Sequence, residues 1–180
     1  MKRKNGFLLL ESVISITIIV MLVSILYYLL FFCINIKVGI ENKVELQQQA
    51  IELENYIQKI IGESKGILNT ELSKNSTNLV SVKSIKCKYR DELISDNTIK
   101  DKELSLKTNT NKLFINTLNK NGYSESGGYE IGDYIDNMYI ALQEDGRIAK
   151  LKLELSKNNQ KYSTEFDIYI RNIKEENIWE

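Results

Sequence analysis

From Ser12 to Ile36 this chain runs for 25 residues without one charged side chain. A helix needs only about 20 such residues to cross the hydrocarbon of a bilayer. A secretory signal has a shorter apolar stretch followed by a small-residue cleavage site, and neither is found here. The segment therefore reads as a retained anchor. Lys2, Arg3 and Lys4 precede it, whereas Lys37, Glu41, Lys43 and Glu45 beyond it nearly cancel. That asymmetry predicts a single-pass protein with Met1 in the cytoplasm and the bulk of the chain outside.

Glu11 is the anomaly of this region. Between Phe7 and Ile36 the only ionisable side chains are Glu11, Tyr27, Tyr28 and Cys33, and only Glu11 is ordinarily charged. An unpaired carboxylate in a membrane segment costs at least ~2.5–3.5 kcal/mol, so it requires a partner or a purpose. An interfacial position from which it snorkels to water is the plain alternative.

Gly6-Phe7-Leu8-Leu9-Leu10-Glu11, behind a basic leader and ahead of a long apolar helix, resembles the processing site of type IV prepilins and pseudopilins. The resemblance implies cleavage between Gly6 and Phe7 by a prepilin peptidase, N-methylation of Phe7, and a role for Phe7 and Glu11 in filament assembly. It also implies other pilin or pseudopilin subunits as partners through the amino-terminal helix, with the cell membrane and then a surface filament as locations. Leu8 stands where many major pilins have threonine, and the apolar run lacks a mid-helix proline. Both departures lean toward a minor pilin or pseudopilin. Retractile pili, type II secretion and DNA-uptake systems all use such subunits. A DNA partner is compatible with the last but unsupported here. The rival from another class is a bitopic anchored protein whose exterior domain binds a partner and never polymerises.

Past the anchor, Leu46, Ala50, Leu53, Ile57 and Ile60 recur at helical spacing on a polar background, which predicts an amphipathic continuation. Gly62 and Gly66 are the first strong stop signals, and Gly39 is the expected bend. A helix from Phe7 to Ile61 would have 55 residues and reach ~80 Å at 1.5 Å per residue. The predicted organisation is a leader over 1–6, a membrane part over 7–36, an amphipathic part over 37–62 and a β-rich exterior domain over 63–180.

Within that domain, residues 79–89 read as a strand with Val80, Val82 and Cys87 on buried faces. Residues 103–107 and 112–118 flank a hairpin turn at Thr108–Asn111. The glycine-rich stretch from Tyr123 to Asp136 is expected to be an extended loop. Met138, Ile140 and Leu142, then Leu151, Leu153 and Leu155, then Phe166, Ile168 and Ile170 alternate with polar residues across turns at 144–147 and 157–160. Three such segments predict an antiparallel meander with one apolar face. The helix stripe and the meander cover each other, giving an α+β fold.

Composition narrows the chemistry. The chain has no histidine, and so lacks the commonest general base and transition-metal ligand. Neither Cys33 nor Cys87 has a neighbour suited to activating it, and their positions predict two unpaired thiols. An enzyme is not expected, and no cofactor is implied. Gly127-Gly128-Tyr129-Glu130-Ile131-Gly132 opens no helical pattern and is a poor phosphate cradle. Glu130, Asp133 and Asp136 could offer oxygens to Ca²⁺, but without EF-hand spacing a solvated turn is expected. Tyr123, Tyr129, Tyr134 and Tyr139 are candidates for an exposed patch, but core packing and strand propensity account for most of them more simply. Loss of the leader removes three basic residues, leaving 21 against 24 acidic, which argues against a strongly electropositive surface.

Overall fold

The computed structural model of the 180-residue chain describes residues 3–68, 77–90 and 99–173, with side chains from Phe7 onward. The fold is α+β, with a long amino-terminal helix and two antiparallel sheets. Two compact units are defined, Met1–Glu41 and Asn42–Glu180, and helix α1 (Arg3–Gly62) contributes to both.

The first unit is helical. Its large apolar side chains from Phe7 to Ile40 are exposed, from 45% at Ile36 to 74% at Tyr27. The hydroxyls of Ser12, Thr17 and Ser24 donate to carbonyls four residues earlier, on Leu8, Val13 and Val20. Folding polar side chains back onto the helix in this way hides them from an apolar surround. Gly39, the expected bend, is helical like its neighbours.

In the second unit the α1 stripe Leu46, Ala50, Leu53, Ile57 and Ile60 is buried as its spacing predicts, and Ile61 joins it. It packs into one core with both sheets. The first sheet has the order β1 (Val80–Ser81), β6 (Ile135–Gln143), β7 (Ile148–Lys157), β8 (Gln160–Tyr169). The second has the order β2 (Ser84–Cys87), β3 (Lys102–Lys107), β4 (Lys112–Thr117), β5 (Tyr129–Gly132). The predicted meander is β6–β7–β8. Its register aligns Met138 with Leu153 and Thr164, Ile140 with Leu151 and Phe166, and Leu142 with Ala149 and Ile168. Alternation therefore places three rows of mainly apolar side chains against the helix.

The turns follow local chemistry. Lys157 pairs with Gln160 across Asn158 and Asn159, whose φ values are 46° and 66°. This is the two-residue left-handed turn that asparagine tolerates best among residues with a side chain. The β3–β4 hairpin closes over 108–111 as expected, with Asn111 at φ 55°. Glu144, Asp145 and Gly146 all take positive φ between β6 and β7.

Two expectations need correction. Residues 123–136 are not a single loop, because Tyr129–Gly132 forms β5 and β6 begins at Ile135. Glycines suggested a loop, yet Gly132 serves close packing. A Cβ there would lie 2.5 Å from Leu53 Cδ2 and 2.8 Å from Gln49 Nε2 of α1. Val80, expected inside, is 44% exposed on a two-residue edge strand, whereas Cys87 is buried as expected and Ile85 is buried with it.

Helix α1 and strand β8 run side by side in the same direction. At one end Asn158 Nδ2 lies 3.5 Å from Asn42 Oδ1, and Lys157 pairs with Glu45. At the other, Arg171 N donates to Gly62 O at 3.2 Å. The lengths agree, since residues 42–62 rise ~30 Å as helix and the ten residues of β8 extend ~33 Å as strand. The carbonyls at the end of α1 also find partners. Tyr89 Oη donates to Ile60 O, Ser64 Oγ to Ile61 O at 2.7 Å, and Asn172 Nδ2 to Glu63 O at 3.0 Å. The helix terminus is thus capped by four residues from three places in the chain.

Candidate functional site

Gly6, Phe7 and Glu11 all lie on α1. Phe7 is 68% exposed and Glu11 is exposed too. Leu8, Glu11, Ser12, Ser15 and Ile16 line a shallow depression along one helix face. Among the described residues, no hydrogen bond or ion pair reaches the Glu11 carboxylate. Within this chain Glu11 is therefore an acidic group on an apolar surface, with small hydroxyl-bearing neighbours and room beside it.

Helix α1 is long and apolar enough to cross a membrane, and the apolar window within it is wholly unburied. That exposure separates it from the core helix of a soluble protein, which would hide the same side chains inside.

The distal candidates are engaged otherwise. Lys112 Nζ sits 2.8 Å from Glu130 Oε1 and 3.3 Å from Asp133 Oδ1. Those hydrogen bonds, Glu130 first, push its pKa up and hold the ammonium charged. An internal cation thus occupies the space between two of the three carboxylates considered for Ca²⁺. The third, Asp136, accepts from Asn111 Nδ2 at 3.0 Å. No cluster of three or more His, Cys, Asp or Glu suited to a metal occurs among the described residues.

Both cysteines are free. Burial pushes the Cys87 thiol up to about 12, so it is a packed, inert group rather than a nucleophile. The tyrosines do not behave as a set. Tyr123 and Tyr129 are 71% and 68% exposed, while Tyr134 and Tyr139 are half-buried.

Sequence reasoning missed two polar assemblies. Arg90 Nη2 donates to Leu118 O and Asn119 O, both at 2.7 Å, and its Nε forms an ion pair with Asp101 Oδ2 at 3.3 Å. Asp101 Oδ1 in turn accepts from the backbone N of Tyr89 and Arg90 at 2.8 and 3.0 Å. The second assembly is the clasp of Lys157 and Asn158 on Glu45 and Asn42, with the Lys157 ammonium 4.6 Å from the Tyr134 ring centre. Partners 11 to 29 residues apart in the first assembly, and 112 and 116 apart in the Lys157–Glu45 and Asn158–Asn42 contacts, carry no local pattern that could have revealed them.

The arrangement defines a class of protein: a membrane-length apolar helix joined to an α+β unit built on the helix's continuation. No family model, curated protein or solved structure matches the chain.

Proposed function

We propose that this chain is a structural, minor subunit of a type IV pilus or related pseudopilus, matured by a prepilin peptidase. The observation that carries the reading is Glu11. A carboxylate with no partner among the described residues stands five residues into the apolar segment that begins at Phe7, directly behind Gly6 and a basic leader. Cleavage after Gly6 would create an ammonium group on Phe7. That ammonium and the Glu11 carboxylate are each costly alone in lipid or in a filament core. Within one helix they lie a turn apart along the axis. A neighbouring subunit displaced by about one turn sets its Glu11 beside the Phe7 amine, which fixes the stagger between helices. Buried ion pairs add little net stability but penalise mismatched registers, so the pair acts as a register device.

In this reading the partners are the peptidase and other pilin or pseudopilin subunits, and α1 bundles in the filament core. The amino terminus begins in the cytoplasm and the Asn42–Glu180 unit stands outside. The role is structural, a reading supported by the absence of histidine from the chain.

The amino-terminal mass of protein taken from the native cell tests the proposal. A mature chain starts at N-methylated Phe7, and Gly6→Leu blocks the cut without preventing insertion, because the peptidase needs close approach to the backbone at glycine. Retention of Met1 in the native protein would instead establish the permanently anchored, non-polymerising alternative.

A further inference from the structure

The tip of the β7–β8 hairpin is tied to the place where the Asn42–Glu180 unit receives the anchor, through Asn158–Asn42 and Lys157–Glu45. Asn42 is only six residues beyond Ile36, the last residue of the uncharged run. Six residues span at most ~20 Å fully extended and ~9 Å as helix. The covalent reach alone therefore holds the tip near the headgroup layer, itself ~5–8 Å deep on each side. This step rests on the membrane-anchor part of the proposed function.

Beside Tyr134, Asp133 pairs with Lys112 and Asp136 accepts from Asn111, while on the helix side of the tip the charges are unequal. Lys157 and Glu45 neutralise each other, as do Lys37 and Glu41 at 3.6 Å. Lys43 and Lys161 are exposed and have no acidic partner among the described residues. Asn158 and Asn159, also exposed, add amide groups at the apex. We infer that this tip, through Lys43 and Lys161, docks on the anionic phospholipid headgroups around the protein's own anchor. Each lysine close to an anionic surface is worth roughly a fivefold gain in contact, and the gain fades with added salt over a Debye length of ~8–10 Å.

The full chain in nanodiscs tests this. A fluorophore is placed at Asn159→Cys, with Cys33→Ser to leave a single reactive thiol, and quenching by a headgroup-nitroxide lipid is read. Replacing about a third of the phosphatidylcholine with phosphatidylglycerol should raise quenching several-fold. Lys43→Gln with Lys161→Gln should abolish that rise and leave the neutral-disc value unchanged. Equal quenching in both discs, with the chain retained in them, overturns the docking surface and spares the anchor. A chain that elutes free of the discs overturns both. Soluble poly-glutamate, added both to phosphatidylglycerol discs and to neutral discs, tests the rival acidic-polymer partner. If it suppresses the phosphatidylglycerol-dependent rise no more than matched salt does, the lipid assignment stands. Tight saturable binding of the polymer to the tip reassigns the surface and overturns it.

Discussion

Adding one methyl group at Gly132 tests how closely α1 approaches the second sheet. The alanine Cβ would lie 2.5 Å from Leu53 Cδ2, 2.8 Å from Gln49 Nε2 and 2.9 Å from Leu53 Cγ. Gln49 can swing aside, since it lies at the end of a flexible chain. Leu53 cannot, being fully buried in the middle of the α1 stripe, and its Cγ branch point moves only with the core around it. Gly132 has no positive φ, so steric overlap is the only source of cost. Overpacking of this kind costs typically ~1–3 kcal/mol. At about 2–4 °C per kcal/mol for a chain of this size, Tm falls by roughly 2–12 °C. The assay is thermal unfolding of the full chain in detergent micelles, followed by the β-sheet signal. Leu53→Ala alone should cost ~2–5 kcal/mol. In its background Gly132→Ala should become nearly neutral, because the new methyl group enters the vacated space. A coupling of at least ~0.5 kcal/mol is expected for residues in direct contact. Strict additivity of the two substitutions would refute the close-packing account.

Glu11→Val should leave cleavage after Gly6 intact and insert slightly more readily, yet enter sheared filaments less than wild type when co-expressed with its partner subunits. Equal incorporation would remove the register role. Tyr89→Phe should destabilise by ~1–3 kcal/mol in urea melts, since it strips the donor from the buried-side carbonyl of Ile60. Cys87 gives a pH signature. Its folded pKa is raised above the ordinary 9.0 to about 12, so the folded state keeps a proton that the unfolded state sheds. Its contribution is complete below pH 9 and declines between 9 and 12, by up to ~1.4 kcal/mol per pH unit. Cys87→Ala should flatten the alkaline fall in stability by that slope, whatever its effect at pH 7.

The β6–β7–β8 meander and the α1 stripe were legible because each is written in a single period. Met138 to Ile170 alternate by two, Leu46 to Ile60 by three and four, and all of these residues are buried. The hairpins at 108–111 and 158–159 were legible from turn chemistry. The second sheet was harder, because its strands are short and two lie at edges. β2 and β5 have four residues each, too few for alternation to stand out. Gly132 misled in its own way. A glycine chosen so that a helix can come near looks, in one dimension, like a glycine chosen for a loop. At the amino terminus, the roles proposed for Gly6, Phe7 and Glu11 rest on resemblance. The need behind Glu11 is physical, since the described fold supplies its carboxylate with no partner.

The capped end of α1 also has a mechanical meaning. Tension applied along the helix, as in any fibre assembled through it, must leave the helix and enter the sheets. Ile60, Gly62 and Glu63 hand that load to Tyr89, Arg171 and Asn172, which flank β2 and β8. Because β8 lies alongside α1, a pull along their common direction shears the whole interface at once and does not peel it row by row. A shear joint fails only when many contacts break together, so the Asn42–Glu180 unit is built to resist axial pulling far better than a sideways one.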